Sequence, residues 1–278
     1  MRTMMRMLSV WSLCVLVGTA ADAQPILIDV LARHGVELPG KNFEAAFDAG
    51  LVPTVAVGAG AFATPLARLS VATGSDRVAA AYAFGILAGR SAREALPGEL
   101  AAAGQALVQM MGSGDRRSRI AGARVAGRVL AASFEPGGVR PPLPAGLTEG
   151  LFSLLNQPNE YEQLAAMDAL GLVRETNAVA ALTERYAFYR ADGKRARAGG
   201  ALEALARIGD VSTVELVKTV AAERWAEGRD ATALAVAFAR ERLLKDGSIV
   251  IIQQAVGNQS HRVQARGYLQ ELGATVPW

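Results

Sequence analysis

Apolar residues recur at every third or fourth position through much of the chain, which is the pattern of helices packed on one face. The pattern is clearest between residues 194 and 225, where two apolar stripes follow one another. The first contains Ala201, Leu202, Leu205 and Ile208, and the second contains Val214, Val217 and Ala221. Between them, Gly209 favours the left-handed backbone that ends a helix, and Asp210 can cap the next helix. The segment is predicted to form two short helices joined by a tight corner.

The same pattern recurs along the chain. Residues 166–186 align with residues 201–221 at a constant offset, and their apolar positions coincide. Looser copies begin at Asp76 and Ser118, and residues 261–273 follow the same template. Such repetition is typical of helical arrays, in which neighbouring units supply the core that one helix pair cannot form alone. We expect an all-α fold of about ten to thirteen helices, with small residues on the first-helix faces allowing close backbone approach.

The stretch ARAGGALEALARIGDVSTVELV, residues 196–217, resembles the HEAT repeat, and within it the phycobilisome-lyase HEAT-like class. The likeness rests on an A-x-x-A-L-x-x-I-G-D core followed by a V-x-x-L/V helix. Ala206 replaces the usual glycine, and Glu175 stands at the aspartate position of the preceding unit. The resemblance implies a right-handed α-solenoid of stacked helix pairs, with a concave surface lined by second helices. Such surfaces bind proteins or peptides and usually catalyse nothing.

The first 23 residues have the parts of a secretory signal peptide: Arg2 and Arg6, a short apolar stretch, and a small-residue site that ends at Ala23. Cleavage there would export the remaining chain to the periplasm, the cell envelope or the medium. The single cysteine, Cys14, lies inside this leader. We therefore expect neither disulfides nor cysteine-ligated metal in the exported protein.

A Pro/Gly-rich stretch at residues 135–146 divides the remainder into N-terminal helical repeats, residues 24–134, and C-terminal HEAT-like repeats, residues 147–278. The stretch suits no regular element, so it is either a loop between repeats or a hinge. Two stretches rich in β-branched residues, 51–62 and 248–256, are predicted to be short helices in this context.

The formal charge of +3 is close to balance and does not favour nucleic-acid binding. No segment reaches the roughly 18 uninterrupted apolar residues of a membrane span, so none is expected after removal of the leader. No cofactor motif is found, and we expect no cofactor. A monomer with an unknown protein or peptide partner is the default expectation.

One stretch, ARHGVELPG, resembles the R-H-G-x-R-x-P motif of histidine acid phosphatases. The matching residues are Arg33, His34, Gly35 and Pro39. Glu37 stands where that family has its second arginine, and a carboxylate there would oppose phosphate binding. That family also has a distant His-Asp pair, but the other histidine, His261, is followed by Arg262, and the two histidines lie too far apart in sequence to predict a metal site. An enzyme or small-ligand carrier with a site in residues 24–75 remains the alternative function.

Two groups of residues are candidates for partner binding. Aromatic and arginine side chains near the ends of the second helices suit a protein contact, and they are Phe188, Tyr189, Arg190, Arg224 and Trp225. A basic edge precedes two first helices and could meet an acidic partner, and it contains Arg116, Arg117, Arg119, Lys194, Arg195 and Arg197. The sequence predicts a non-catalytic interaction scaffold of the periplasm or cell envelope.

Overall fold

The computed structural model describes residues 23–91, 97–133, 142–223 and 230–277. Within these ranges the chain forms fourteen α-helices and short 3-10 turns and contains no strand, which confirms the all-α prediction. The helices are α1 (Ala23–Arg33), α2 (Phe43–Asp48), α3 (Ala63–Val71), α4 (Gly74–Ser91), α5 (Pro97–Met111), α6 (Arg116–Ser133), α7 (Leu147–Leu155), α8 (Glu160–Leu172), α9 (Val179–Ala191), α10 (Arg195–Ile208), α11 (Val214–Ala221), α12 (Ala231–Leu244), α13 (Ile249–Ala255) and α14 (Arg262–Glu271). The predicted leader, apart from Ala23, lies outside the described residues.

Helix α10 shows why the repeated pattern folds as it does. Its predicted apolar stripe is buried, with Leu202 and Leu205 fully enclosed. The helix ends at Gly209, whose φ of 76° is left-handed and whose N–H donates to the Leu205 carbonyl at 3.0 Å. Asp210 then accepts a hydrogen bond from the Ser212 N–H at 2.8 Å, capping the 3-10 turn that leads into α11. The predicted two helices and corner are confirmed.

Helices α4, α6, α8, α10 and α12 pack successively against one another and form what we call the stacked layer. Their backbones approach closely where they cross. A Cβ built on Gly127 would lie 2.7 Å from the Ala169 Cα, and one on Gly171 would lie 2.6 Å from the Ala204 Cα. Carbon atoms normally meet at about 3.5–4.0 Å, so an alanine at either position would force the two helices apart. The expectation that small residues permit close backbone approach is confirmed.

The helices between members of the stacked layer pack in pairs that differ from the sequence expectation. Helix α9 packs mainly on α10, and α11 on α12, whereas the repeat pattern paired α8 with α9 and α10 with α11. The 3-10 turns at Thr176–Ala178 and Val211–Thr213 carry the chain past the end of the preceding helix. The short turn at Asp192 and Gly193 instead folds α10 back on α9, so these two helices share the larger contact.

Three corners of the chain repeat one local geometry. Arg174, Gly209 and Lys245 have left-handed backbone, with φ of 53°, 76° and 55° respectively. An acidic residue follows each of them and accepts a hydrogen bond from the backbone N–H two residues further on. These acids are Glu175, Asp210 and Asp246, with distances of 3.2, 2.8 and 3.1 Å. The third corner extends the repeat to α12 and α13, where the sequence likeness was weak.

Several local predictions are also decided by the structure. The stretch 248–256 contains α13, as expected, but 51–62 is irregular and has only a 3-10 turn at Ala59–Phe62, so the helix predicted there is wrong. Pro53 and two glycines explain why no helix forms there, because they disfavour a continuous helix.

Of the Pro/Gly-rich stretch, residues 135–141 lie outside the described ranges. In the part of the chain that the structure describes, no helix combines the length and apolarity that crossing a bilayer requires.

Candidate functional site

The exposed face of the stacked layer contains a groove of about 600 Å³. Helices α6, α8 and α10 form its floor and α2 borders one side. Its central lining residues are Ile120 on α6, Tyr161, Leu164 and Asp168 on α8, and Gly200 and Glu203 on α10. Residues 161, 164, 165 and 168 are spaced by three or four positions, so they lie on one side of α8. The groove is thus a consequence of helices stacked side by side.

A second cavity of about 570 Å³ adjoins the first. The two share Glu44, Arg117 and Ile120 as lining residues. The second cavity continues across α4 past Val78 and Tyr82. Together they form a continuous groove that crosses α4, α6, α8 and α10, an extended shape that suits a chain segment better than a compact small molecule.

Arg124 organises the charges at the α2 side of the groove. Its guanidinium forms salt bridges with Asp48 and, at 3.3 Å, with Glu44. The Tyr82 hydroxyl donates to the same Glu44 carboxylate at 3.1 Å. Burial raises the pKa of Tyr82, and Arg124 opposes that effect only in part. The phenol therefore stays protonated at neutral pH and acts as a hydrogen-bond donor. Arg124 also lies 5.5 Å from the ring centre of Phe47.

Arg207 organises the charges on the α10 side. It forms salt bridges with Asp168 at 2.7 Å, Glu203 at 2.6 Å and Glu271 at 3.0 Å. Only 11% of its side chain is exposed. Burial lowers its pKa, but the three carboxylates outweigh that effect and the pKa ends well above its usual value. Burial raises the pKa of Glu203, with Arg207 opposing. This cluster joins α8, α10 and α14 and positions these helices rather than presenting a reactive group.

Two apolar side chains stand exposed in the groove. Tyr161 is 65% exposed and Leu164 is 36% exposed, although both lie on α8, whose other apolar residues are mostly buried. Arg197 of α10 lies 5.7 Å from the centre of the Tyr161 ring, at cation–π distance. Sequence reasoning missed both residues, because residue type alone does not distinguish an exposed apolar position on α8 from a buried one. Their i, i+3 spacing on a face shared with Asp168 was the available signal.

The predicted second-helix surface is only partly present. Phe188 is 55% exposed, whereas Tyr189 is fully buried and its hydroxyl donates to Gln163. Tyr189 was therefore wrongly assigned as a contact residue, because it faces α8 from inside the packing. Arg190 pairs with Glu223. Arg224 and Trp225 lie outside the described residues, so the surface has one exposed aromatic within them.

The basic edge divides into paired and unpaired cations. Arg119 is bonded to Glu162 at 2.5 Å and to the Ser113 carbonyl at 2.8 Å, so it serves packing. Lys194 and Arg197 share Glu160, Arg197 at 2.8 Å. The remaining three are exposed and have no carboxylate within salt-bridge distance among the described residues, and they are Arg116, Arg117 and Arg195.

The N-terminal segment holds another open cleft of about 690 Å³, which adjoins the second cavity and shares Gln24, Lys41 and Ser75 with it. Its charged lining residues are Asp29, Lys41 and Asp76. His34 directly follows α1, and its Nδ1 is buried without a hydrogen-bond partner among the described residues, but it does not line this cleft. In the described ranges no group of three or more His, Cys, Asp or Glu side chains is arranged to hold a metal ion.

Comparison with known proteins adds no assignment. No protein-family model matches the chain, and no curated protein matches it either.

Proposed function

We propose that the protein is a non-catalytic interaction scaffold of the cell envelope, which binds an extended segment of a partner protein in the groove of the stacked layer. The continuous groove across α4, α6, α8 and α10 carries this proposal, because it presents Tyr161 and Leu164 to solvent on a preformed helical floor. Exposed aromatic and apolar side chains in a groove are the usual anchors of peptide recognition. The leader-like residues 1–23 support an exported location.

The architecture we propose is a right-handed α-solenoid of HEAT-like units. Its support is the succession of contacts α4–α6–α8–α10–α12 and the three equivalent corners. Stacked repeats form an elongated surface on which each unit contributes one strip of lining residues. The binding surface we infer lies on the stacked layer itself, not on α9 and α11, since Tyr189 of α9 is buried.

Site-specific photo-crosslinking in the native host tests the proposal. A photoreactive amino acid is placed at Leu164 in the groove, at Phe188 on α9, or at Val71, an exposed position on α3. We expect a discrete protein adduct from position 164 and none from position 71. Adducts from position 188 alone would place the partner on the second-helix surface instead of in the groove. The absence of an adduct from both position 164 and position 188 would refute the scaffold function.

The open cleft of about 690 Å³ in the N-terminal segment favours the alternative, a small-ligand carrier. Its lining groups Asp29, Lys41 and Asp76 would select a polar zwitterionic ligand by charge. A thermal-shift screen of polar metabolites, repeated on Asp29→Ala, distinguishes the two functions, because Asp29 lines this cleft and not the groove. A ligand whose stabilisation is lost in Asp29→Ala and kept in Leu164→Gln would favour the carrier.

A further inference from the structure

The carboxylates in the groove are already engaged by arginines of the same face. Glu44 and Asp48 pair with Arg124, as described above. Asp168 and Glu203 likewise pair with Arg207. Each arginine is shared by two of these acids, so four carboxylates and two guanidiniums leave an excess of two negative charges in this part of the groove.

Arg116 and Arg117 differ from these residues. Both line the groove, both are exposed, and neither has a carboxylate within salt-bridge distance among the described residues. Arg117 also lines the adjoining cavity. Positive charge is therefore concentrated at the start of α6, at one end of a groove whose excess of carboxylates lies elsewhere along it.

The first turns of α6, α8 and α10 lie together at this end of the groove. The Arg119–Glu162 pair joins α6 to α8, and Glu160 joins α8 to α10 through Lys194 and Arg197. Helix N-termini carry partial positive charge, which adds to that of the arginines. Arg195 adds a further exposed cation at the start of α10. An approaching chain meets a positive rim at one side and the exposed Tyr161 and Leu164 inside it.

From this arrangement we infer that the partner segment is acidic and carries an apolar or aromatic anchor residue. Its carboxylates pair with Arg116 and Arg117, and its anchor packs on Tyr161 and Leu164. Guanidinium groups bind carboxylates with paired, charge-assisted hydrogen bonds, and opposite charge at a groove rim raises the association rate. The inference rests on the proposed function, and it specifies the chemistry of the partner.

Selection from a random dodecapeptide display library tests the inference without knowledge of the partner. The purified protein is the target, and the strongest selected peptide is then measured by fluorescence anisotropy at two salt concentrations. We expect selected peptides to combine Asp or Glu with an aromatic or large aliphatic residue. The double variant Arg116→Gln/Arg117→Gln should bind such a peptide about tenfold more weakly, since two exposed ion pairs are lost. The matched control Arg33→Gln/Arg266→Gln removes the same charge from exposed positions that do not line the groove and should bind as the parent does.

The outcomes separate the inference from the function on which it rests. Peptides that carry no net negative charge, yet lose binding in Leu164→Gln, would overturn the acidic partner and leave the groove intact. Peptides indifferent to both Leu164→Gln and the Arg116/Arg117 variant, or no selected peptide at all, would overturn both. Binding to phosphatidylglycerol vesicles that depends on Arg116 and Arg117, with no peptide selected, would identify a membrane contact and overturn the inference.

Discussion

Replacing Gly171 by alanine tests the close packing on which the groove depends. The added Cβ would lie 2.6 Å from the Cα of Ala204 and 2.9 Å from its Cβ. Ordinary carbon–carbon contacts are about 3.5–4.0 Å, so α8 and α10 must separate by roughly 1 Å. The nearest obstacle is backbone, which no side-chain rotation can move.

Two opposing effects set the size of the change. Overpacking at a tight contact costs about 1–3 kcal/mol. Alanine is favoured over glycine inside a helix by about 1 kcal/mol. We therefore expect Gly171→Ala to lower the free energy of unfolding by about 1 kcal/mol, with an upper limit of about 2 kcal/mol. Gly267→Ala is the matched control, because Gly267 also lies within a helix, α14, and a Cβ there would meet nothing within 4 Å. This control should raise the stability by about 0.5–1 kcal/mol.

Urea unfolding followed by circular dichroism measures both variants. The slope of the free energy with urea should stay constant, so that shifts of the midpoint report stability alone. The central expectation is that the free energy of unfolding falls in Gly171→Ala and rises in Gly267→Ala. A Gly171→Ala protein that is more stable than the parent, as the Gly267→Ala protein should be, would refute the close α8–α10 crossing. It would also remove the structural basis of the groove.

Three further predictions follow from single contacts. Asn159→Ala removes the side chain that caps α8 by accepting from the Tyr161 and Glu162 N–H groups, and it should cost about 1 kcal/mol in urea unfolding. Arg207→Met leaves Asp168, Glu203 and Glu271 without their arginine partner. It should lower the free energy of unfolding by about 3–5 kcal/mol at pH 7 and by less near pH 4, where the acids protonate. An equal loss of stability at both pH values would contradict the charge argument. Hydrogen bonds from the Ser212 hydroxyl and N–H lower the pKa of Asp210 in the folded protein. The carboxylate therefore stabilises the fold at pH values above its unfolded pKa of about 3.9. This stabilisation is lost as the pH falls through the lower pKa of the folded state. Asp210→Asn keeps an acceptor for the cap and should flatten the melting temperature profile below about pH 5.

The repeat pattern predicted the local structure well where the local signal was complete. In the segment containing α10 and α11, apolar spacing, a glycine and a capping aspartate coincide, and each acts over a few residues. The corner at Lys245 was not predicted, although Asp246 caps it in the way that Asp210 caps the corner at Gly209. Lys245 occupies the position at which a glycine would have indicated left-handed backbone. The helix predicted for residues 51–62 is absent because the interpretation gave too little weight to the proline and two glycines, which break helices, among the apolar residues of this stretch.

Residue type predicted the candidate surface less well than the fold. Tyr189 and Phe188 are adjacent and both aromatic, yet the first is fully buried and the second is mostly exposed. Their difference depends on which side of α9 meets α8 and α10. Tyr161 and Leu164 had no distinguishing sequence signal beyond their spacing, because exposure on α8 depends on the neighbouring helices.

Three properties were predictable from the amino-acid sequence alone: the all-α class, the corner of the 194–225 unit and the small residues at helix crossings. These properties depend on backbone preferences and spacing within a few residues, which the order of amino acids specifies directly. Three further properties arise only in the folded protein: α9 packs on α10, Glu44 and Asp48 share the guanidinium of Arg124, and Arg116 and Arg117 remain exposed beside a groove. Those properties depend on which distant residues become neighbours, and charge compensation and exposure are defined only once the helices have stacked.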